Sequence, residues 1–164
     1  PFVAMLVGGE SVTRVPGTAV FMTTNRDAVP NALLHNLKHN RVLHERNVLL
    51  SVYNLEQPRV DDSKRLVIEP IAPGFWRAAV YYGFMESPDI PAALEWAAEQ
   101  GIDIEIQDTS FFLGRETIMP RVQAGILGWR ERLFTWMYRN SGSAAAFFRL
   151  PANRVVELGS QVVL

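Results

Sequence analysis

The chain has 164 residues, 48% hydrophobic and 20% charged, and its 16 Lys and Arg against 17 Asp and Glu leave a formal charge of -1. That suits one compact domain with its own core, far from the composition of a disordered chain. The near-neutral balance offers a nucleic acid no general attraction, and the absence of cysteine excludes a disulfide framework and thiolate chemistry, which suits a reducing compartment.

The opening "PFVAMLVGGESVTR" lacks the pattern of a signal peptide, and no window approaches the ~18 apolar residues that a membrane-spanning helix requires. Starting on Pro1 rather than Met, the chain reads as a piece of something longer. Residues 2–7, "FVAMLV", read as a short lead-in helix, and Pro16-Gly17 as a turn feeding a buried strand at 18–24. Asn25 to Asp27 form a polar turn, Pro30 enters the first helical turn, and Leu33, Leu34 and Leu37 recur at helical spacing to residue 40.

"NVLLSVYNL" predicts a second buried strand over 46–54, parallel to the first across the helix, giving one βαβ unit. "RLVIEPIAPGFWRAAVYYGF" divides at Pro73-Gly74 into two antiparallel strands, the second over 75–84, with Pro70 best suited to an edge. Asp89 as N-cap, Pro91 in the first turn and Gly101 past the end predict a helix over 90–100. Of "IDIEIQ" and "DTSFFLG", the second is favoured as the paired strand. Trp129, Leu133 and Trp136 share one helical face, and "VVELGSQVVL" closes the chain as a strand or two short ones. The expected architecture is α/β: a single compact domain with a mixed sheet of five or six strands and flanking helices.

No phosphate-cradling glycine loop or nucleophile elbow is present. The carboxylate pairs Asp61-Asp62 and Glu95/Glu99 read as solvated charge, leaving no catalytic residue and no cofactor to assign. All three histidines, His35, His39 and His44, lie within ten positions. With Leu33 at zero, Leu37 and Leu34 fall at roughly 40° and 100°, and His35 and His39 at roughly 200° and 240°, away from the leucine face.

Histidines at i and i+4 are a start for zinc, with His44 as a third ligand and Glu45 beside it, but His44 lies beyond the helix end. The spacing favours histidines that bond a loop or pack against a neighbouring surface. Asn31, His35, Lys38 and His39, with His44 and Glu45 at the end, then form a candidate docking face for another part of a larger protein or a second copy. A second candidate is the basic stretch 121–149, with five arginines against Glu131; Arg130, Arg132, Trp136 and Arg139 would lie on a helix resting at inner-leaflet lipid, or on an amphipathic core helix.

Taken in order, "RVPGTAVFMT", "VPNALLHNLKHNRVLHERNVLL", "YGFMESPDIPAALEWA", "DTSFFLGRETIMP", "WRERLFTWMYRN" and "NRVVELGSQVVL" resemble the cytosolic C-terminal domain of the Kup-type (KUP/HAK/KT) potassium uptake transporters. Residues 1–13 then correspond to the connection from a transmembrane region, and 14–164 to the domain, with the last strand as the transporter's natural end. The resemblance implies K⁺ import, with proton symport, by a membrane bundle whose ion-coordinating groups match no residue here. It implies an accessory, non-enzymatic role at the cytoplasmic face of the cell membrane, and no metal at the histidine segment. Arg41 and Asn47 depart mildly from the family pattern, in ways that keep charge or end a strand.

Two other functions compete with that reading. A nucleotide or cyclic-dinucleotide sensor regulating transport rests on fold analogy, and the missing glycine-rich loop counts against it. A zinc hydrolase on His35, His39 and His44 lacks general-base geometry. A homodimer is expected on general grounds, since two-fold pairs are the commonest oligomers.

Overall fold

The computed structural model describes residues 12–114 and 144–158. In chain order the elements are β1 (Thr13–Met22), α1 (Asn31–Asn40), β2 (Val42–Leu55), α2 (Asp62–Arg65), β3 (Leu66–Ala72), β4 (Phe75–Gly83), α3 (Ile90–Leu94), β5 (Thr109–Gly114), α4 (Ala144–Phe147) and β6 (Val155–Leu158). They build one α/β domain on a six-stranded sheet in the order β3-β4-β2-β1-β5-β6. Among the described residues only the β3–β4 pair is antiparallel, so the sheet is mixed as expected.

Parallel strands are buried on both faces, which is why β1 and β2 read as continuous apolar runs. Val20, Val48, Leu50, Val80 and Phe111 point to one face, where Ile90, Leu94, Ala97 and Phe148 cover them. Phe21, Leu49, Phe75 and Phe112 point to the other, against Ala32 and Leu33 of α1. Phe21 and Phe112 stack at 4.7 Å across the β1–β5 ladder. Side chains of this size, buried completely, each stabilise the fold by about 1.5–3 kcal/mol.

The Pro16-Gly17 turn is not formed. β1 starts five residues before the expected strand, pairs Thr13 to Val15 with Val42 to His44, and passes Pro16-Gly17 as a bulge where the register shifts. Gly17, at φ 97°, makes this possible: a Cβ there would sit 2.8 Å from the Asp108 carbonyl oxygen.

The polar turn before α1 is built as read, with Asp27 N–H donating to Asn25 Oδ1 at 3.0 Å. Pro30 stands just outside the helix rather than within its first turn, its carbonyl accepting from Leu33 and Leu34. Leu34 is exposed and Asn36 buried, so the core face of α1 is rotated from the leucine triplet toward Ala32, Leu33 and Asn36. Asn36 is satisfied there: its Nδ2 donates to the Val42 carbonyl and its Oδ1 accepts from Asn40. Arg41, at φ 52°, turns the chain directly from helix to strand.

The Pro73-Gly74 hairpin and the edge position of Pro70 are as expected. Asn47 does not end a strand. It lies fully buried within β2 and donates through Nδ2 to the carbonyls of His44 and Gly74, tying the hairpin turn to the centre of the sheet.

Asp89 caps α3 through Ala92 N–H, and Gly101 adopts the left-handed conformation past the end. The expected helix over 90–100 is instead α3 followed by a 3₁₀ helix over Glu95–Gln100. The tighter repeat stacks Leu94, Ala97 and Gln100 along one side, toward the sheet. "DTSFFLG" is the paired strand, whereas "IDIEIQ" lays Ile102 and Ile104 on the core without joining the sheet. The expected lead-in helix at 2–7 and the helix carrying Trp129, Leu133 and Trp136 lie outside the described residues.

Candidate functional site

On α1, helical spacing sets Asn31, Lys38 and His39 on exposed positions and His35 on a half-buried one. The His35 and His39 rings stack at 5.7 Å, one turn apart. Glu45 is exposed on β2, two residues beyond Leu43, whose side chain is in the core.

His44 belongs to β2, which begins four residues before the strand expected over 46–54. Its ring meets Phe112 edge-on at 6.3 Å, and its Nδ1 is enclosed with no hydrogen-bond partner among the described residues. Burial lowers its pKa from 6.5, partly opposed by Asp108, which favours the neutral imidazole. The six residues of the candidate face therefore divide. Asn31, His35, Lys38 and His39 share the outer side of α1, Glu45 sits on the adjoining strand, and His44 is turned into the packing beneath it.

Among the described residues no three His, Asp, Glu or Cys side chains converge as metal ligands. A zinc site needs at least three protein ligands, and the third imidazole is committed to the Phe112 contact. We expect the thermal midpoint to be the same with and without a strong chelator. A native-state ligand at 100 times its Kd would add about 2.7 kcal/mol, so a drop of several degrees on chelation would restore the metal reading.

Arg130, Arg132, Trp136 and Arg139 lie outside the described residues. Within them, a cleft of about 420 Å³ opens beside the end of β2, lined by Leu55, Gln57, Arg59, Val60, Asp61, Lys64 and Tyr81. Its charges are mixed in sign, unlike a phosphate cradle.

The strongest polar constellation was not legible as such. Glu86 Oε1 accepts from Arg65 Nη2 at 2.6 Å, and Oε2 accepts from Val60 N–H and Gly83 N–H at 3.0 and 2.7 Å. Arg65 also donates to the carbonyls of Val60 and Tyr81, bonds Asp62, and lies over the Tyr82 ring at 4.9 Å. Asp62 stays largely solvated while joining this pair, and Glu95 and Glu99 are exposed as read. Tyr82 joins the clasp to α3, donating its hydroxyl proton to the Asp89 carbonyl and accepting from Asp89 N–H; burial pushes its pKa up to about 12. The clasp locks the 56–65 segment to the end of β4 and is structural, since both charges are spent on each other, on Asp62 and on the backbone. The single Arg65 and Glu86, 21 positions apart, carry no spacing signal.

The profile of the family described as "K+ potassium transporter C-terminal domain" matches residues 16–164. The chain is 54% identical over 157 residues to the probable potassium transport system protein Kup of Myxococcus xanthus (strain DK1622), covering 96% of this chain and 24% of that one. It is 57% identical over 151 residues to the protein of the same description from Azoarcus sp. (strain BH72), covering 92% and 24%. With the probable potassium transport system protein Kup 2 of Albidiferax ferrireducens it shares 51% over 162 residues, covering 99% and 26%. No solved structure matches. The chain spans about a quarter of the length of these curated relatives, and among the described residues no helix is long and apolar enough to cross a membrane. The family is one of transport proteins rather than enzymes, and this chain belongs to it, as a K⁺ potassium transporter C-terminal domain.

Proposed function

We propose that the chain is the cytosolic accessory and regulatory domain of a Kup-type potassium uptake permease, whose K⁺ import, with proton symport, is carried out by a membrane domain elsewhere in the same protein. One observation carries this reading. The chain is matched over 92–99% of its own length by proteins described as potassium transport systems, but fills only 24–26% of theirs. The domain works at the cytoplasmic face of the membrane, and it makes or breaks no covalent bond.

The docking surface toward the membrane domain or a second copy is the outer side of α1, with Asn31, His35, Lys38 and His39, extended by Glu45 and supported by His44 from below. Basic residues Arg130, Arg132 and Arg139, with Trp136, supply a contact to anionic inner-leaflet lipid. The exposure of Lys38 and His39 and the solvent side of a helix packed on the sheet support the first assignment.

Replacing His35 and His39 together by Ala changes the stability of the 164-residue chain by no more than about 0.5 kcal/mol, as surface substitutions do. In the full-length transporter the same double variant reduces assembly or potassium uptake. Unfolding of the isolated chain by the pair of substitutions would make these histidines internal anchors and end the docking assignment, and unchanged uptake and assembly would remove α1 as the surface.

A further inference from the structure

The outer edge of β3 is occupied by a side chain. Gln100, the last residue of the 3₁₀ helix, accepts from Ile68 N–H through Oε1 at 3.0 Å and donates through Nε2 to the Leu66 carbonyl at 2.6 Å. Alternate residues of a strand turn their backbone groups to the same edge, so Leu66, Ile68 and Pro70 face outward while Val67 and Glu69 face β4. Pro70 has no N–H. Gln100 takes up the outward donor of Ile68, and Pro70 offers none.

The row is also self-complementary. Two copies of β3 placed antiparallel about a two-fold axis through Val67 would set Leu66 opposite Ile68 of the second copy. In that arrangement, Ile68 N–H and the Leu66 carbonyl, the same groups Gln100 holds, would exchange hydrogen bonds between copies. Val67, 47% exposed, would face its own counterpart in the close pair of the ladder.

We propose that Gln100 is a plug on a latent self-pairing edge: its amide mimics a neighbouring strand at Leu66 and Ile68 and keeps β3 from pairing with β3 of a second copy. An open edge is a standing template for strand addition, and proteins close it with charge, proline or a cover. Here the cover is one amide, delivered by the tight 3₁₀ turn that ends at Gly101.

Gln100→Ala, measured by sedimentation against the wild-type 164-residue chain over a range of concentrations, associates to twice the wild-type mass. The double variant Gln100→Ala with Val67→Lys returns to the wild-type mass, because two ammonium groups then meet at the two-fold axis. Should Gln100→Ala fail to fold, Gln100→Met, which keeps the bulk and loses both hydrogen bonds, is read in the same way. Wild-type mass for the folded Gln100 variant at every concentration overturns the proposal. So does association that persists undiminished in the double variant, since the pairing would then not run through Val67.

Discussion

Glu86→Ala lowers the stability of the chain by about 2–4 kcal/mol, the cost of breaking a largely buried ion pair and leaving two backbone amides without their acceptor. The Arg65 and Glu86 side chains are 11% and 17% exposed, well short of the solvent contact that makes surface pairs nearly worthless. Removing the carboxylate leaves the guanidinium with Asp62 and the Val60 and Tyr81 carbonyls, and deprives two backbone amides, Val60 and Gly83, of their acceptor. Urea unfolding with an unchanged slope would report this as a shifted midpoint, and a loss under about 1 kcal/mol would mean that water reaches the pair as freely as a surface bridge.

The same contact has a pH signature. Burial pushes the Glu86 carboxyl up, but Arg65 and the Gly83 and Val60 amides together outweigh it and hold the pKa below 4.5. A carboxylate whose folded pKa is depressed contributes stability that is present in full above the unfolded value and is lost as pH falls through the folded one. The difference between wild type and Glu86→Ala is therefore constant at neutral pH and shrinks in acid, below 4.5. His44 acts in another window. Its pKa is lowered from 6.5, so the unfolded chain takes up the proton first and stability declines as pH falls below 6.5 toward the folded value.

The strands were legible where one force dominated. "NVLLSVYNL" is buried on both faces of the sheet, and its short length with β-branched and aromatic members decides for a strand over a buried helix. Pro73-Gly74 and Asp89 to Gly101 announced their turn and helix caps by residue type. Misreadings fell where tertiary context overrode a local signal. Pro16-Gly17 carries a turn sequence, yet pairing with Val42 to His44 holds it inside a bulged strand. Leu34 has the right spacing for the core and is exposed because the buried face turns the other way from Leu33, toward Ala32 and Asn36, whose amide is satisfied by Val42 and Asn40.

The candidate face was legible in part for the same reason. Projection at 100° per residue sets Lys38 and His39 outward and needs nothing beyond the helix itself. His44 could not be read that way, because its surroundings come from Phe112 and Asp108, more than sixty positions later in the chain. Gln100 and Glu86 are harder still. A single amide or carboxylate becomes a plug or a clasp only through the backbone groups that the fold brings to it, and those groups are the same in every residue type but proline.

Gly83→Ala is the smallest substitution with a large expected effect. A Cβ at Gly83 would lie 2.3 Å from the Pro58 carbonyl oxygen, 2.4 Å from its carbon and 2.5 Å from Arg59 N, all backbone atoms with no rotamer to yield. Relief requires the 57–60 segment to leave β4, which opens the Phe84 N–H bond to Gln57 and the Met85 N–H bond to Pro58. It also pulls Val60 N–H from Glu86. Overpacking with loss of those bonds costs about 3 kcal/mol or more, a fall of roughly 6–12 °C in Tm for a domain of this size. Gly101→Ala separates crowding from conformation: its φ is 90°, but nothing lies within 4 Å of the new Cβ, so only about 1–2 kcal/mol of backbone strain is expected. If Gly83→Ala melts no lower than Gly101→Ala, the close approach of the two segments is wrong. Because Gly83→Ala and Glu86→Ala undo the same clasp, their double variant should lose less than the sum of the two.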